Sequence, residues 1–394
     1  MNDIDAFDWS APATLAPPRA AYVHVPFCRH RCGYCNFSVV AGRDDLADRF
    51  LDALEIELAS MEQPKPVDTL FIGGGTPTHF DAPWLHGFLS LVCRWFDLKS
   101  EACEFTVEAN PNDITLEKLD VLGSYGVNRI SLGVQSFNES KLANLERSHS
   151  PKEAMLAIER GANVIGNVSI DLIFAVPDET PTSWLADLQT AVRQPIDHLS
   201  TYGLTIEKGT SFWNRKQRGL MSDVVEEDEL RMYVDAIEHL THADFTHYEV
   251  SNFARGGRQC QHNLAYWKGV GWYAAGPGAA SFVDGKRQVN HRSPTTYMRR
   301  LLSGQSPIAE SEQLSIEQLI RERIAFGLRM MAGIDLRDVG PVQAIESLLG
   351  TTLNRLQELG LLERCRSRLS LTRRGLLISD SVLTEILSPD VVIQ

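Results

Sequence analysis

Short apolar, β-branched runs alternate with longer stretches of helical periodicity along most of this 394-residue chain. The runs predict strands at residues 22–25, 69–72, 105–108, 129–133, 168–174, 199–204 and 248–250. Between them apolar residues recur at three- and four-residue spacing, as at Leu46, Phe50, Leu51, Leu54 and Leu58, then Leu85, Phe88, Leu89 and Val92. Thr115-Leu116-Glu117-Lys118 opens a further helix that closes before Gly126. Such alternation predicts an α/β fold, with a parallel sheet and helices outside, as a barrel or a doubly wound sheet.

Beyond about residue 310 the pattern changes. Helical periodicity covers residues 315–330, 338–349 and 352–359. A hairpin pattern then leads from Gly360-Leu361-Leu362 to Leu369-Ser370-Leu371-Thr372, before a last helix over 375–387. Helices followed by a hairpin predict a small winged-helix-like α+β unit. The expected layout is a loose tail over 1–20, the main α/β domain over 21–255, a connecting segment over 256–310 and the C-terminal unit over 311–394.

Net charge is −13 and the sequence pI is near 5.4, which disfavours a broad electrostatic grip on nucleic acid. Arginines 364, 366, 368, 373 and 374 in the C-terminal unit are expected to be solvated rather than DNA-binding. The acidic, Ala- and Pro-containing start lacks the basic and apolar regions of a secretory signal. No apolar run is long enough to span a bilayer, which leaves room only for transient association with a membrane surface.

Candidate chemistry begins at Cys28-Arg29-His30-Arg31-Cys32-Gly33-Tyr34-Cys35, directly after the first predicted strand. Cysteine thiolates are the usual protein ligands of a [4Fe–4S] cluster, and three of them leave one of its four irons open. A structural zinc site or buried small hydrophobes are the plainer alternatives. Cys93, Cys103, Cys260 and Cys365 are scattered and supply no second half for a zinc site, and seven cysteines make a poor disulfide framework. Reduced, cluster-forming thiols suit a cytoplasmic setting. Arg29, His30 and Arg31 beside the thiols either form a solvated turn or offset cluster charge.

The strand at 69–72 runs into Gly73-Gly74-Gly75-Thr76-Pro77-Thr78, a run that lets the backbone approach a ligand. No Gly-Lys-Ser/Thr follows, so this is not a phosphate loop. Later runs present Glu108, Gln135 and Asp171, with Arg147 nearby. Polar groups on successive strands suggest a ring around one ligand. Arg147 is suited to a carboxylate, although a surface position is its default reading.

Taken together, these residues resemble the HemN/HemW branch of the radical S-adenosylmethionine (SAM) proteins, which contains oxygen-independent coproporphyrinogen III oxidases and heme chaperones. The resemblance spans roughly residues 21 to 390 and implies a partial (β/α) TIM-like barrel. It implies that Cys28, Cys32 and Cys35 hold a [4Fe–4S] cluster whose open iron is chelated by SAM. Tyr22, Tyr34, Gly74, Gly75, Thr76, Glu108, Gln135, Arg147 and Asp171 match positions lining the SAM pocket. The oxidases carry a further cysteine two residues past the triad, where this chain has Phe37, and a longer N-terminal arm. Cys260-Gln261-His262-Asn263-Leu264-Ala265-Tyr266-Trp267 resembles the H-N-x-x-Y-W motif of the chaperones. That match implies heme contacts from His262, Tyr266 and Trp267, with Cys260 as a thiolate alternative to His262. Read from the residues alone, His262 and Trp267 merely help to close the barrel. The resemblance therefore implies a heme carrier with an acceptor hemoprotein as partner; the alternative is a porphyrinogen oxidase.

Overall fold

The computed structural model describes residues 17–98 and 102–388; most of the tail expected over 1–20 lies outside them. One twelve-stranded sheet organises the chain. Its strands are β1 (Ala20–Val25), β2 (Thr69–Gly74), β3 (Glu104–Ala109), β4 (Arg129–Gln135), β5 (Val168–Phe174) and β6 (His198–Gly203), then β7 (Thr246–Glu249), β8 (Asn252–Ala254), β9 (Trp272–Ala275), β10 (Ala280–Val283), β11 (Lys286–Asn290) and β12 (Ile308–Gln313). From one edge to the other they run β7, β8, β6, β5, β4, β3, β2, β1, β9, β10, β11, β12.

β1 to β6 are parallel neighbours in chain order. Each is followed by a helix: α1 (Ala47–Ala59), α2 (Ala82–Trp95), α3 (Leu116–Ser124), α4 (Pro151–Val164), α5 (Pro181–Ala191) and α6 (Glu226–His242). This sequential order is that of a partial (β/α) barrel. β9 adds a further parallel strand beside β1, and antiparallel pairs extend both edges.

Side-chain alternation explains why the sheet has two different faces. Val23, Ile72, Val107, Ile130, Leu132, Ile170, Leu172 and Leu199 are fully buried in the core beneath the helices. The intervening positions, among them Tyr22, Phe71, Glu108, Ser131, Asp171 and Ser200, line an internal cavity instead. The helices start where their caps lie. Thr115 accepts from the Lys118 N–H at 3.3 Å, and Ser150 with Glu153 closes a capping box at the head of α4.

α7 (Gln261–Trp267) carries the motif residues and is followed by β9 to β12. These strands extend the main sheet through residues that periodicity left as a connection. The C-terminal part has its own apolar cluster, built on α8 (Ile316–Leu328), α9 (Val342–Glu358) and α10 (Ser379–Leu387). With them packs a small antiparallel sheet in the order β13 (Ile334–Asp335), β15 (Arg368–Leu371), β14 (Leu362–Cys365).

Two expectations are corrected there. From Val342 onward the helices expected at 338–349 and 352–359 merge into one, α9, because Ile345, Leu349, Leu353 and Leu356 form a continuous buried stripe across Gly350. Packing along that stripe outweighs the roughly 1 kcal/mol that a mid-helix glycine costs. The single helix expected over 375–387 is interrupted at Ile378, whose φ of −123° and ψ of 32° are not helical.

Candidate functional site

The cysteine loop leaves the C-terminal end of β1, and hydrogen bonds from neighbouring strand ends fix it. Thr76 Oγ1 donates to Cys28 Sγ at 3.7 Å and accepts from Asn110 Nδ2 at 2.9 Å. Arg147 donates to Asn110 Oδ1 at 2.5 Å, to the Gly133 carbonyl at 2.8 Å and to Cys32 Sγ at 3.4 Å. A continuous polar chain thus connects two of the three thiols. The glycine run makes this approach possible. A Cβ on Gly75 would lie 2.5 Å from the Phe27 carbonyl oxygen, and one on Gly73 would lie 2.5 Å from Glu108 Oε2.

Burial pushes the Cys28 thiol up to about 12, with the neighbouring thiols adding to the shift, and raises Cys35 as well. The thiolates therefore need a compensating cation, such as the irons of a cluster. Among the described residues no three His, Cys, Asp or Glu side chains are spaced to hold one metal ion. Two of the three basic side chains between the cysteines contact carboxylates. Arg29 pairs with Asp113 at 3.0 Å, and His30 Nε2 lies 3.8 Å from Glu146. Arg31 donates to the Cys35 carbonyl at 3.3 Å.

The three cysteines open onto a cavity of about 690 Å3 that is also lined by Tyr34, Gly74, Gly75, Thr76, Glu108, Gln135, Arg147 and Asp171. Glu108 accepts from the Gly74 N–H at 2.8 Å. Burial pushes its carboxyl up to about 7, helped by the charge of Asp171. Asp171 is raised by burial too, an effect opposed by Ser200, Arg129 and Arg147. Gln135 holds a left-handed backbone with φ of 65°, and strain of this kind gathers at ligand sites. Arg147 Nε is buried without a partner, a donor left for an acceptor from outside. These features fit a small ligand with amine and carboxylate groups beside an iron–sulfur cluster.

Tyr22 does not reach this cavity. Its hydroxyl lies 3.0 Å from His24 Nδ1, inside a second space of about 630 Å3. That space is the barrel lumen, and it shares Phe37, Glu108, Ser131, Asp171, Tyr202 and Arg292 with the first cavity. Aromatic rings from Phe71, Tyr266, Trp267, Trp272 and Phe326 line the rest. Phe37, on the cysteine loop, is 64% exposed.

α7 closes the lumen at the end opposite the cysteines, because its anchors stand at strand beginnings. Glu104, the first residue of β3, accepts from the backbone N–H of Gln261 at 2.9 Å and of His262 at 3.1 Å, and from the Cys260 thiol at 3.3 Å. His262 is buried between Thr69 Oγ1 at 2.9 Å from Nδ1 and the Tyr266 hydroxyl at 2.9 Å from Nε2. Its ring stacks on Phe71 with centroids 5.1 Å apart. Burial, assisted by Arg129, lowers its pKa to about 3, and burial pushes the Cys260 thiol up to about 12. Trp267 Nε1 is buried without a partner, and the Arg329 guanidinium lies 4.6 Å from the Trp267 ring centre.

The structure thus gathers eight of the nine SAM candidates around the cysteines and groups Tyr22 with His262, Tyr266 and Trp267 around the lumen. Sequence reading missed Asn110, Thr69, Glu104 and Arg292. Asn110 stands in the strand end already singled out, and only the strand register reveals the pairing of Thr69 with Glu104 beneath α7.

A family model described as the Radical SAM superfamily matches residues 22–191, and one for the HemN C-terminal domain matches 314–378. The chain is 33% identical over 371 residues to the heme chaperone HemW of Bacillus subtilis, covering 92% of this chain and 98% of that protein. It belongs to the HemW family of radical SAM proteins. Another HemW relative, from Escherichia coli, is 32% identical over 93% of this chain and 97% of its own length. The bovine mitochondrial protein named radical S-adenosyl methionine domain-containing protein 1 is 32% identical over 97% of this chain and 91% of its own. Among solved structures, the Escherichia coli coproporphyrinogen III oxidase HemN superposes with a TM-score of 0.82 at 22% identity, covering 95% of this chain and 91% of that one; this likeness is one of fold. Membership of the radical SAM superfamily implies a [4Fe–4S] cluster and SAM for this HemW-family chain. None of its described helices is long and apolar enough to cross a membrane.

Proposed function

We infer that this chain is a heme chaperone that binds heme in the barrel lumen, carries a SAM-ligated [4Fe–4S] cluster at the mouth and passes heme to an acceptor hemoprotein. The observation that carries the reading is the seating of the H-N-x-x-Y-W helix as the wall of an aromatic-lined cavity that borders the cysteine cavity. Cavities of this size, apolar with a few polar groups, suit a small cofactor. HemW-named relatives covering nearly the whole chain support the same reading.

In this proposal Cys28, Cys32 and Cys35 hold the cluster, which supplies a redox-active iron open to SAM. Tyr34, Gly74, Gly75, Thr76, Gln135 and Arg147 surround SAM, while Glu108 and Asp171 offer acceptors for its amine. Tyr22, Tyr266 and Trp267 give flat faces to the porphyrin. His262 also lines the lumen and would hold iron only by giving up one of its two partners, Thr69 or Tyr266. Within the described residues the C-terminal unit packs around its own apolar cluster, and the protein acts in the cytoplasm.

Anaerobic reconstitution followed by two assays on one preparation tests this. Heme titration is expected to give a saturable Soret band. Incubation with SAM, reductant and coproporphyrinogen III is expected to give no protoporphyrinogen. Failure to bind heme, or efficient decarboxylation, would point to the porphyrinogen oxidase instead.

A further inference from the structure

Arg292 follows β11 and borders both the lumen and the cysteine cavity. Its Nη2 donates to the Asn36 carbonyl at 2.5 Å and to Asn36 Oδ1 at 3.4 Å, which seats the guanidinium on the cysteine loop beside Phe37. The residue is exposed. Among the described residues no carboxylate pairs with it, and its Nε and Nη1 donors have no protein partner.

The other basic residues around the two cavities are differently placed. Arg129 is buried and faces Glu104 and Asp171. Arg147 donates to Cys32, Asn110 and Gly133 and borders the cysteine cavity but not the lumen. His30 lies against Glu146, and Arg31 borders only the cysteine cavity. Arg292 is therefore the accessible cation of the lumen. Its guanidinium is held through Nη2 and keeps Nε and Nη1 as donors for a carboxylate.

We propose that Arg292 anchors a carboxylate of the lumen ligand, and so binds a propionate of heme. This rests on the reading of the lumen as the heme site and adds an orientation to it. The propionate edge stays at the cysteine side beside Phe37, and the apolar edge of the macrocycle points down to Phe71, Tyr266 and Trp267. A tetrapyrrole lacking free carboxylates loses this contact and keeps the aromatic ones.

The test compares heme with heme dimethyl ester, whose propionates are capped, by Soret titration of the cluster-reconstituted full chain. The wild type is expected to prefer heme by about tenfold, the discrimination that one charge-assisted contact supplies. Arg292→Gln is expected to abolish the preference by weakening heme alone, and Arg292→Lys to restore part of it. Rising salt should erode the preference in the wild type and leave the Gln variant unchanged. Equal binding of both ligands by the wild type overturns the anchor while leaving the heme reading intact. An unchanged preference in Arg292→Gln does the same. Loss of iron together with loss of preference in both variants also overturns it, since Arg292 would then serve only to hold Asn36. No binding of either ligand by the wild type overturns the anchor along with the heme reading.

Discussion

Thr69 Oγ1 lies 2.9 Å from His262 Nδ1, although 193 positions separate the two residues in the chain. With the Tyr266 hydroxyl on Nε2, both ring nitrogens are in use whichever tautomer is present. Iron coordination by His262 therefore competes with the tyrosine hydroxyl. Tyr266→Phe removes that competitor, and a hydrogen bond of about 1 kcal/mol net corresponds to roughly fivefold tighter heme binding. His262→Ala in the same titration is expected to weaken the Soret band. Weaker binding in Tyr266→Phe would show that the hydroxyl supports heme rather than opposing its ligand.

Glu108 gives a pH signature. Its carboxyl is pushed up to about 7 by burial, so the folded state holds the proton that the unfolded chain releases near 4.5. Stability from this group is constant below pH 4.5, falls between 4.5 and 7, and is fully lost above 7. Glu108→Gln stays neutral throughout. Its stability advantage over the wild type is expected to grow across that window by up to about 3 kcal/mol. Urea unfolding at pH 5 and pH 8 without SAM measures it. An advantage that does not change with pH would show that the carboxylate is stabilised in place.

Gln135 ends β4 in a left-handed conformation. For a residue with a Cβ this costs about 1 kcal/mol or more, whereas glycine adopts it freely. Gln135→Gly is expected to be more stable than Gln135→Ala by about 1 kcal/mol, the reverse of their usual order within a strand. Both variants lack the side chain at the SAM cavity, so both are expected to bind SAM more weakly in equilibrium dialysis. Greater stability of the alanine variant would show that the strand end relaxes.

Cys32 receives a hydrogen bond from Arg147, whereas Cys365 is exposed at the end of β14. After reconstitution, Cys32→Ala is expected to lose the broad visible absorption and most of its iron. Cys365→Ala is expected to keep both. Full iron content in Cys32→Ala would remove the triad as the cluster site.

Much of this arrangement is legible in the sequence because the short apolar, β-branched runs of β1 to β6 and the C-x3-C-x2-C spacing are local signals. The strand expected over 168–174 coincides with β5 (Val168–Phe174), and α3 begins one residue after its expected cap, Thr115. Relations across the sheet are not legible in the same way. Tyr22 and His24 face the lumen because β1 has strands on both sides, and its pairing with β9 leaves no local trace in either segment. The mostly polar strand β12, Ile308–Gln313, lacks an apolar pattern because it is largely exposed. Arg292 carries no local signal, and only the fold brings it against Asn36.

β1 pairs with β2 on one side and, on the other, with β9, about 250 residues further along the chain. At roughly 5 to 20 residues per second, a ribosome takes on the order of 12 to 50 s to add that length. During synthesis the segment bearing Cys28, Cys32 and Cys35 leaves the tunnel long before the strand that completes its sheet. The thiols are thus available to solvent, oxidants and stray metals for tens of seconds in each new molecule. A cluster inserted during that interval would meet a sheet that still lacks β9 beside β1.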